Sequence, residues 1–116
     1  MSQAPLVSVV IPTYNRIPQL VNLLQGLAGQ SLAPHLFEVI VSDDGSTDPV
    51  EAAVGKLDLP YALTCLRNAN AGPGAARNRA IERAQALLTL ILNDDAVPAP
   101  DLLQMHLNAH LPRRFS

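Results

Sequence analysis

Apolar residues in this chain are concentrated in four short runs, at residues 6–12, 37–42, 61–66 and 87–92. Each run holds six or seven residues, most of them apolar, and prolines or charged residues adjoin three of the four runs. Short continuous apolar runs of this kind are typical of strands that are covered on both faces of a sheet. The pattern therefore predicts four buried strands.

The segments between these runs favour helices. After Pro18 the leucines have the i, i+3, i+4, i+7 spacing of one apolar helical stripe; they are Leu20, Leu23, Leu24 and Leu27. Asp48, Pro49 and Glu51 have the order of an N-cap, a first helical residue and a capping-box acid, which predicts a second helix. The composition of "AARNRAIERAQA" favours a third helix, and a fourth is predicted from about Pro100.

Strands that alternate with helices indicate parallel neighbours, because parallel strands need crossover connections. We therefore predict an α/β fold with a doubly wound, mainly parallel four-stranded sheet that is flanked by helices. A chain of 116 residues with 48% hydrophobic content is expected to form one domain.

Polar clusters follow three of the predicted strands: "PTYNR" the first, "SDDGSTD" the second and "NDDAVP" the fourth. The carboxyl ends of parallel strands share one edge of a sheet, and ligands bind in the crevice there. We expect the three clusters to converge.

Composition excludes several function classes. The formal net charge is −2, from 8 basic and 10 acidic residues, and no basic run indicates a nucleic-acid or membrane surface. Cys65 is the only cysteine, which favours a structural thiol in a reducing compartment. No apolar run approaches the ~20 residues of a transmembrane helix. We expect a cytoplasmic protein without a transmembrane segment or a nucleic-acid partner.

Asp94 and Asp95 are adjacent acids directly after a buried strand, and no basic residue is near them in sequence. Two such carboxylates repel each other and resist burial unless a cation, water or donors stabilise them. A Mg²⁺ or Mn²⁺ ion that shares its coordination shell with a ligand diphosphate is one solution. A solvated loop is the other interpretation of the pair.

Two further clusters have the same two interpretations. In "SDDGSTD", Asp43 or Asp44 either contacts a nucleotide base or ribose, or belongs to an ordinary turn. In "NANAGPGAARNRA", the glycines, the helix start and Arg77 with Arg79 could hold a pyrophosphate or simply begin a helix. Neither a dinucleotide fingerprint nor a phosphate loop occurs in the chain.

His106 and His110 are four residues apart on the last predicted helix. No third ligand of suitable type is evident near them in the sequence, so surface or interface histidines are favoured over a zinc site.

Four blocks together, "VSVVIPTYNR", "EVIVSDDGSTD", "NAGPGAARNRAI" and "LILNDDAVPAPDLL", resemble the nucleotide-binding N-terminal half of a family 2 glycosyltransferase with the GT-A fold. They cover the chain from Val7 to about His110. The resemblance implies binding of a nucleotide-activated sugar, commonly a UDP-sugar, with Mg²⁺ or Mn²⁺, and transfer of the sugar with inversion.

The resemblance also implies roles for particular residues. It assigns nucleotide binding to Pro12, Thr13, Tyr14, Asp43, Asp44, Gly72, Arg77, Asn78 and Asp94, and metal binding to Asp95. Within this set Tyr14 would flank the base, Asp44 would contact the base, and Asp43 would support Asp44. Asn93 departs from the family pattern, which often has an acid there, so metal affinity is expected to be lower.

Inverting transfer needs a general base, which in this family follows the acidic loop. We therefore expect residues 1–116 to form a single truncated nucleotide-sugar-binding domain without an acceptor-binding half, inactive by itself. An exposed sheet edge is expected to favour a homo-oligomer, most simply a dimer.

Two alternatives remain from the sequence. A non-catalytic module that binds a nucleotide sugar or a metal would share all these motifs. A receiver-type signalling domain would need a lysine at a strand end, whereas the only lysine, Lys56, lies in a predicted helix.

Overall fold

A computed structural model describes residues 4–110 of the chain. The strands are β1 (Val7–Thr13), β2 (Phe37–Asp43), β3 (Ala62–Arg67) and β4 (Leu88–Ile91). The helices are α1 (Ile17–Leu27), α2 (Val50–Gly55), α3 (Pro73–Arg83) and α4 (Leu102–His110), and a 3₁₀ turn (Pro34–Leu36) precedes β2. Each predicted strand and helix is present, with ends shifted by a few residues at most.

The four strands form one parallel sheet in the order β3-β2-β1-β4. Thr13, Asp43 and Arg67 are aligned across the sheet at the carboxyl ends of β1, β2 and β3. The chain adds β2 and β3 on one side of β1 and then returns to place β4 on the other side. The strand order therefore reverses between β1 and β4, which is where ligands bind in open parallel sheets.

Helices cover both faces of the sheet, which confirms the doubly wound architecture. On one face Val7, Val9 and Ile11 of β1 belong to a core that also contains buried leucines of α1 and α4 and valines of α2. On the other face Val10 and Ile40 pack with Ala80 of α3. The leucine stripe of α1 is fully buried, and each such side chain contributes about 2 kcal/mol of hydrophobic stabilisation.

Two buried polar residues of the strands, Ser8 and Glu38, have hydrogen-bond partners just after the end of α3. The Ser8 hydroxyl donates to Glu38 Oε2 at 2.6 Å, and the backbone N–H of Gln85 donates to the same oxygen at 2.7 Å. Ser8 Oγ in turn accepts from the backbone N–H of Ala86 at 3.1 Å. These bonds fasten the connection between α3 and β4 to the sheet, which places the loop after β4.

The predicted capping box of α2 is wrong. The helix begins at Val50 with Pro49 in the N-cap position, and no side chain caps it. The preceding Thr47 is instead bonded through its N–H and hydroxyl to Asn15 Oδ1, at 2.9 and 3.0 Å. This tertiary contact holds the chain just before the helix, and a local sequence pattern does not contain it.

Within residues 4–110, none of the helices is both long enough and apolar enough to cross a membrane.

Candidate functional site

A cavity of about 630 Å³ opens at the carboxyl edge of the sheet, at the reversal between β1 and β4. Loops that follow β1, β2, β3 and β4 contribute to its wall. The sequence-predicted residues that line it are Pro12, Thr13, Tyr14, Asp44, Gly72, Asp94 and Asp95. The three polar clusters therefore converge as the strand pattern predicts.

Asp44 is held by backbone groups from the Gly-rich loop before α3. Its Oδ1 accepts from the N–H of Ala71 at 2.8 Å, and its Oδ2 accepts from the N–H of Gly72 at 3.0 Å. The N–H of Asp44 donates to the carbonyl of Thr13 at 2.9 Å. Only 4% of Asp44 is exposed, so the carboxylate is fixed in one orientation, yet each oxygen keeps a lone pair for a further donor.

The amino end of α3 contributes to the cavity wall through Gly72, Pro73 and Ala76. Gly72 has φ +100° and ψ 160°, a conformation that is essentially restricted to glycine. This conformation allows the Gly72 N–H to reach Asp44 while α3 begins at the next residue. Free N–H groups and the helix dipole make a helix start favourable for anions such as phosphates.

Asp94 and Asp95 differ in their surroundings. The side chain of Asp94 is 12% exposed and accepts a hydrogen bond from the Thr13 hydroxyl at 3.0 Å, whereas that of Asp95 is 56% exposed. Thr13 therefore orients the Asp94 carboxylate, whereas the Asp95 carboxylate is open to the cavity.

Arg16 supplies a cation that the sequence analysis missed. Its Nε is 3.9 Å from Asp94 Oδ1, and its NH1 is 3.6 Å from Asp95 Oδ2. Arg16 belongs to the "PTYNR" cluster, so its position at a strand end was the signal that could have identified it. The acidic pair lacks a basic neighbour in the sequence but has one in the fold.

The residues of this site fit a hard divalent cation only as part of its shell. Among residues 4–110, no group of three or more His, Cys, Asp and Glu side chains is arranged to hold a metal ion. Asp94 and Asp95 offer carboxylate oxygens, which Mg²⁺ and Mn²⁺ prefer. Further oxygens from water or from a bound diphosphate would have to complete the coordination.

Asp43 is beside Asp44 in sequence but does not belong to the wall of the cavity. It is 1% exposed; its Oδ1 accepts from the N–H and hydroxyl of Ser46, at 3.0 and 2.6 Å. Its Oδ2 accepts from Arg67 NH1 at 3.0 Å. In this structure Asp43 braces the loop that carries Asp44. The nucleotide-binding role implied for Asp43 stays a prediction.

Asn15 joins the loops after β1 and β2. It has φ +53°, and its N–H donates to Ser46 Oγ at 2.9 Å while its side chain accepts from Thr47. Asparagine tolerates this left-handed conformation better than most residues. Because Tyr14 and Arg16 flank Asn15, this contact fixes the backbone from which both side chains extend.

Arg77 and Asn78 are exposed on α3 and are not among the described residues that line the cavity. Asn70 does line it, and its side-chain amide donates to the carbonyl of Asp44 at 3.2 Å. The nucleotide contacts implied for Arg77 and Asn78 stay predictions.

His106 and His110 contact each other on the surface of α4, with ring centroids 4.5 Å apart and ring planes tilted by 48°. Burial and the nearby His110 lower the pKa of His106. Within the described part of the chain neither histidine belongs to a metal-binding cluster.

Known proteins resemble this chain in sequence over most of its length. The model of the family described as glycosyl transferase family 2 matches residues 8–113. Validoxylamine A glucosyltransferase from Streptomyces hygroscopicus subsp. limoneus is 40% identical over 111 residues, covering 94% of this chain and 24% of that protein.

Solved structures show the same similarity. TarS 1–349 from S. aureus, in complex with UDP-GlcNAc, has a TM-score of 0.81 and 33% identity over 86% of this chain and 29% of its own. The mannosyltransferase PcManGT from Pyrobaculum calidifontis, in complex with GDP-Man and Mn²⁺, has a TM-score of 0.78 and 32% identity over 88% of this chain and 31% of its own. This chain thus spans less than a third of each of these proteins. The extent of the family match shows that the chain belongs to glycosyl transferase family 2.

Proposed function

We propose that this chain forms the donor-binding part of an inverting glycosyltransferase and binds a nucleotide diphosphate sugar, most simply a UDP-sugar, together with Mg²⁺ or Mn²⁺. One observation carries the proposal: a fixed, acceptor-only carboxylate, Asp44, lines the same cavity as the Asp94 and Asp95 pair. A nucleoside diphosphate has a base at one end and an anionic, metal-binding diphosphate at the other. The solved complexes of TarS with UDP-GlcNAc and of PcManGT with GDP-Man and Mn²⁺ support the same ligand class.

In this proposal Asp44 selects the base. An ionised carboxylate only accepts hydrogen bonds, so it favours a base that presents a ring N–H, as uracil and guanine do. Cytosine and adenine present an unprotonated ring nitrogen at the corresponding position and would face the carboxylate with a lone pair. Tyr14 is 46% exposed at the cavity wall and offers an aromatic face for stacking on the base.

The diphosphate would lie between the amino end of α3 and the acidic pair. Gly72 permits close approach of the backbone there, and Arg77 and Asn78 would reach the ligand from the next turn of α3. Asp95 would be the principal metal ligand, since it is the more exposed acid, and Asp94 would lie near the ribose or the waters of the metal. The bound metal ion would neutralise the charge that develops on the leaving diphosphate.

We propose that this chain by itself binds the donor without transferring the sugar. Inverting transfer needs a free general base beside the acceptor hydroxyl. Two acids of the cavity already have partners, Asp44 with backbone N–H groups and Asp94 with Thr13, and Asp95 is assigned to the metal. An assay that detected sugar transfer by the isolated chain would contradict this part of the proposal.

Calorimetric titration with UDP, GDP and dTDP, with and without Mn²⁺, tests the donor site. We expect binding of UDP that requires Mn²⁺ and that is lost in Asp95→Ala, with Asp58→Ala as a control because Asp58 is an exposed acid away from the cavity. Binding that needs no metal and is unchanged in Asp95→Ala would refute the metal site, and binding of none of the nucleotides would refute the donor site.

The association and location expected from the sequence also remain proposals. β4 is an edge strand, and Leu87, Ile91, Val97 and Met105 are exposed apolar residues on or near it and α4. We propose that this surface supports a symmetric dimer, which light scattering would detect; a monomer at tens of micromolar would contradict it. A cytoplasmic location stays a prediction.

A further inference from the structure

Arg16 is the one basic residue among the described residues that line the cavity. Its guanidinium is near both acids, 3.9 Å from Asp94 Oδ1 and 3.6 Å from Asp95 Oδ2. Both separations exceed the 2.7–3.2 Å range of an N–H···O hydrogen bond. Arg16 therefore interacts with the pair through charge rather than through directional bonds.

The guanidinium is movable although its backbone is fixed. Half of the Arg16 side chain is exposed, whereas the Arg16 carbonyl accepts from the N–H of Leu20 at 2.9 Å at the start of α1. The preceding Asn15 is bonded to Ser46 and Thr47. A long side chain on a rigid base can exchange one anionic partner for another within its reach.

A divalent cation and the Arg16 guanidinium would interact with the same two carboxylates. Two positive groups cannot share Asp94 and Asp95 at such short distances without repulsion. A nucleoside diphosphate that enters the cavity brings at least two negative charges. The planar guanidinium can donate two parallel hydrogen bonds to its phosphate oxygens.

We propose that Arg16 is a displaceable counter-ion of the Asp94–Asp95 pair, which competes with the divalent cation for the carboxylates and then binds the diphosphate of the nucleotide. This inference rests on the proposed function, because it assumes a nucleotide diphosphate in the cavity. It assigns Arg16 two opposing effects: it weakens the binding of the cation alone, and it strengthens the binding of the nucleotide once the cation is present.

Titrations of Arg16→Gln with Mn²⁺ alone and with UDP in saturating Mn²⁺ measure the two effects separately. We expect Mn²⁺ alone to bind about three- to tenfold more tightly than to the wild type, since removing one charge within 4 Å in partly exposed surroundings has an effect of this order. We expect UDP to bind about tenfold more weakly, and UMP, which has no β-phosphate, to change less than about twofold.

Two further variants distinguish the local effect of the Arg16 charge from a change in the net charge or in the folding of the protein. Arg83→Gln removes the same charge from an exposed position at the end of α3, outside the cavity, and should leave both affinities unchanged. Arg16→Lys keeps the charge and should leave the affinity for Mn²⁺ alone close to that of the wild type. If Arg83→Gln reproduced the changes of Arg16→Gln, net charge would explain them and the proposal would be overturned.

The remaining outcomes also test the role of Arg16, and they distinguish it from the proposed donor site. If both affinities fell in Arg16→Gln, the residue would have a structural role only, and if neither changed, Arg16 would not act on the site. If the wild type bound Mn²⁺ but no nucleotide, the proposed donor site would fail, while tighter Mn²⁺ binding by Arg16→Gln would still support the competition. Failure of Arg16→Gln to tighten Mn²⁺ binding, in a protein that binds UDP with Mn²⁺, would overturn the competition and leave the donor site intact.

Discussion

Replacement of Gly45 by alanine tests whether the close approach of two loops holds the cavity together. Gly45 has φ +80°, which L side chains rarely adopt. A Cβ atom at this position would lie 2.8 Å from the backbone nitrogen of Asn70 and 3.1 Å from the carbonyl oxygen of Asn68. Both obstructing atoms belong to the backbone, so neither can rotate away as the end of a side chain would.

Gly45→Ala destabilises the folded state in two ways. A left-handed conformation is unfavourable for alanine by roughly 1–2 kcal/mol, and overpacking against a rigid neighbour costs typically about 1–3 kcal/mol. We therefore expect Gly45→Ala to lower the free energy of unfolding by about 2–5 kcal/mol, a large share of the ~5–15 kcal/mol that a domain has. Any shift of Asn70 also moves the adjacent N–H groups of Ala71 and Gly72 away from Asp44, so UDP affinity should fall as well.

Two other glycines provide matched controls. Gly72 has φ +100° but no atom within 4 Å of an added Cβ, so Gly72→Ala measures backbone strain without a clash. Gly55 has neither a positive φ nor an atom within 4 Å of an added Cβ. Gly55→Ala, at the end of α2, should therefore be neutral or stabilise the fold by up to about 1 kcal/mol. In urea denaturation Gly55→Ala should be the most stable of the three variants, and Gly45→Ala and Gly72→Ala should both be less stable than the wild type. Equal stability of Gly45→Ala and Gly55→Ala would refute the reasoning.

Three further predictions concern Tyr61, Cys65 and Asp43. Tyr61→Phe removes a hydroxyl that donates to the carbonyl of Leu24 in the last turn of α1 at 2.6 Å, and it should lower the unfolding free energy in urea by about 1–2 kcal/mol; an unchanged value would contradict this. Burial raises the pKa of the Cys65 thiol from 9.0 to about 11, so at pH 8 a disulfide reagent should react about tenfold more slowly with the native protein than with the unfolded one. Because the folded state holds this proton more tightly, the associated stability is complete below about pH 9 and declines as the pH rises towards 11; a melting temperature constant over that window would count against it. Asp43→Asn removes the charge that faces Arg67, so it should lower the free energy of unfolding by about 1–3 kcal/mol. The affinity for UDP in excess Mn²⁺ should change less than about threefold. Unchanged stability together with a large loss of UDP affinity would place Asp43 in the binding site.

Much of the fold could be predicted from the sequence because its signals are local. The apolar runs at residues 37–42 and 87–92 have the short length of strands buried on both faces, and the leucines of α1 have the period of a helix. The alternation of elements then implied parallel pairing, which placed the polar clusters at one edge of the sheet. The start of α2 was predicted one residue too early, because a bond between Thr47 and Asn15 from another loop holds the chain there.

The candidate site was predictable as a set of motifs but not as a set of contacts. Asp43 and Asp44 are adjacent and chemically identical, yet one braces a loop and the other lines the cavity. Successive residues of an extended chain point in opposite directions, so the register of β2 and its continuation beside Thr13 decide which acid lines the cavity. The sequence shows that two acids end the strand, and only the strand pairing distinguishes them.

The sequence by itself determined the α/β class, the convergence of polar loops at one sheet edge and the family resemblance, because each depends on spacing within short segments. The tertiary structure alone placed Arg16 beside Asp94 and Asp95, which are almost eighty residues further along the chain. It did so by pairing β1 with β4 after the intervening strands had been added on the other side. Charge neutralisation between distant segments depends on which strand ends become neighbours, and that is a property of the sheet order rather than of any local pattern.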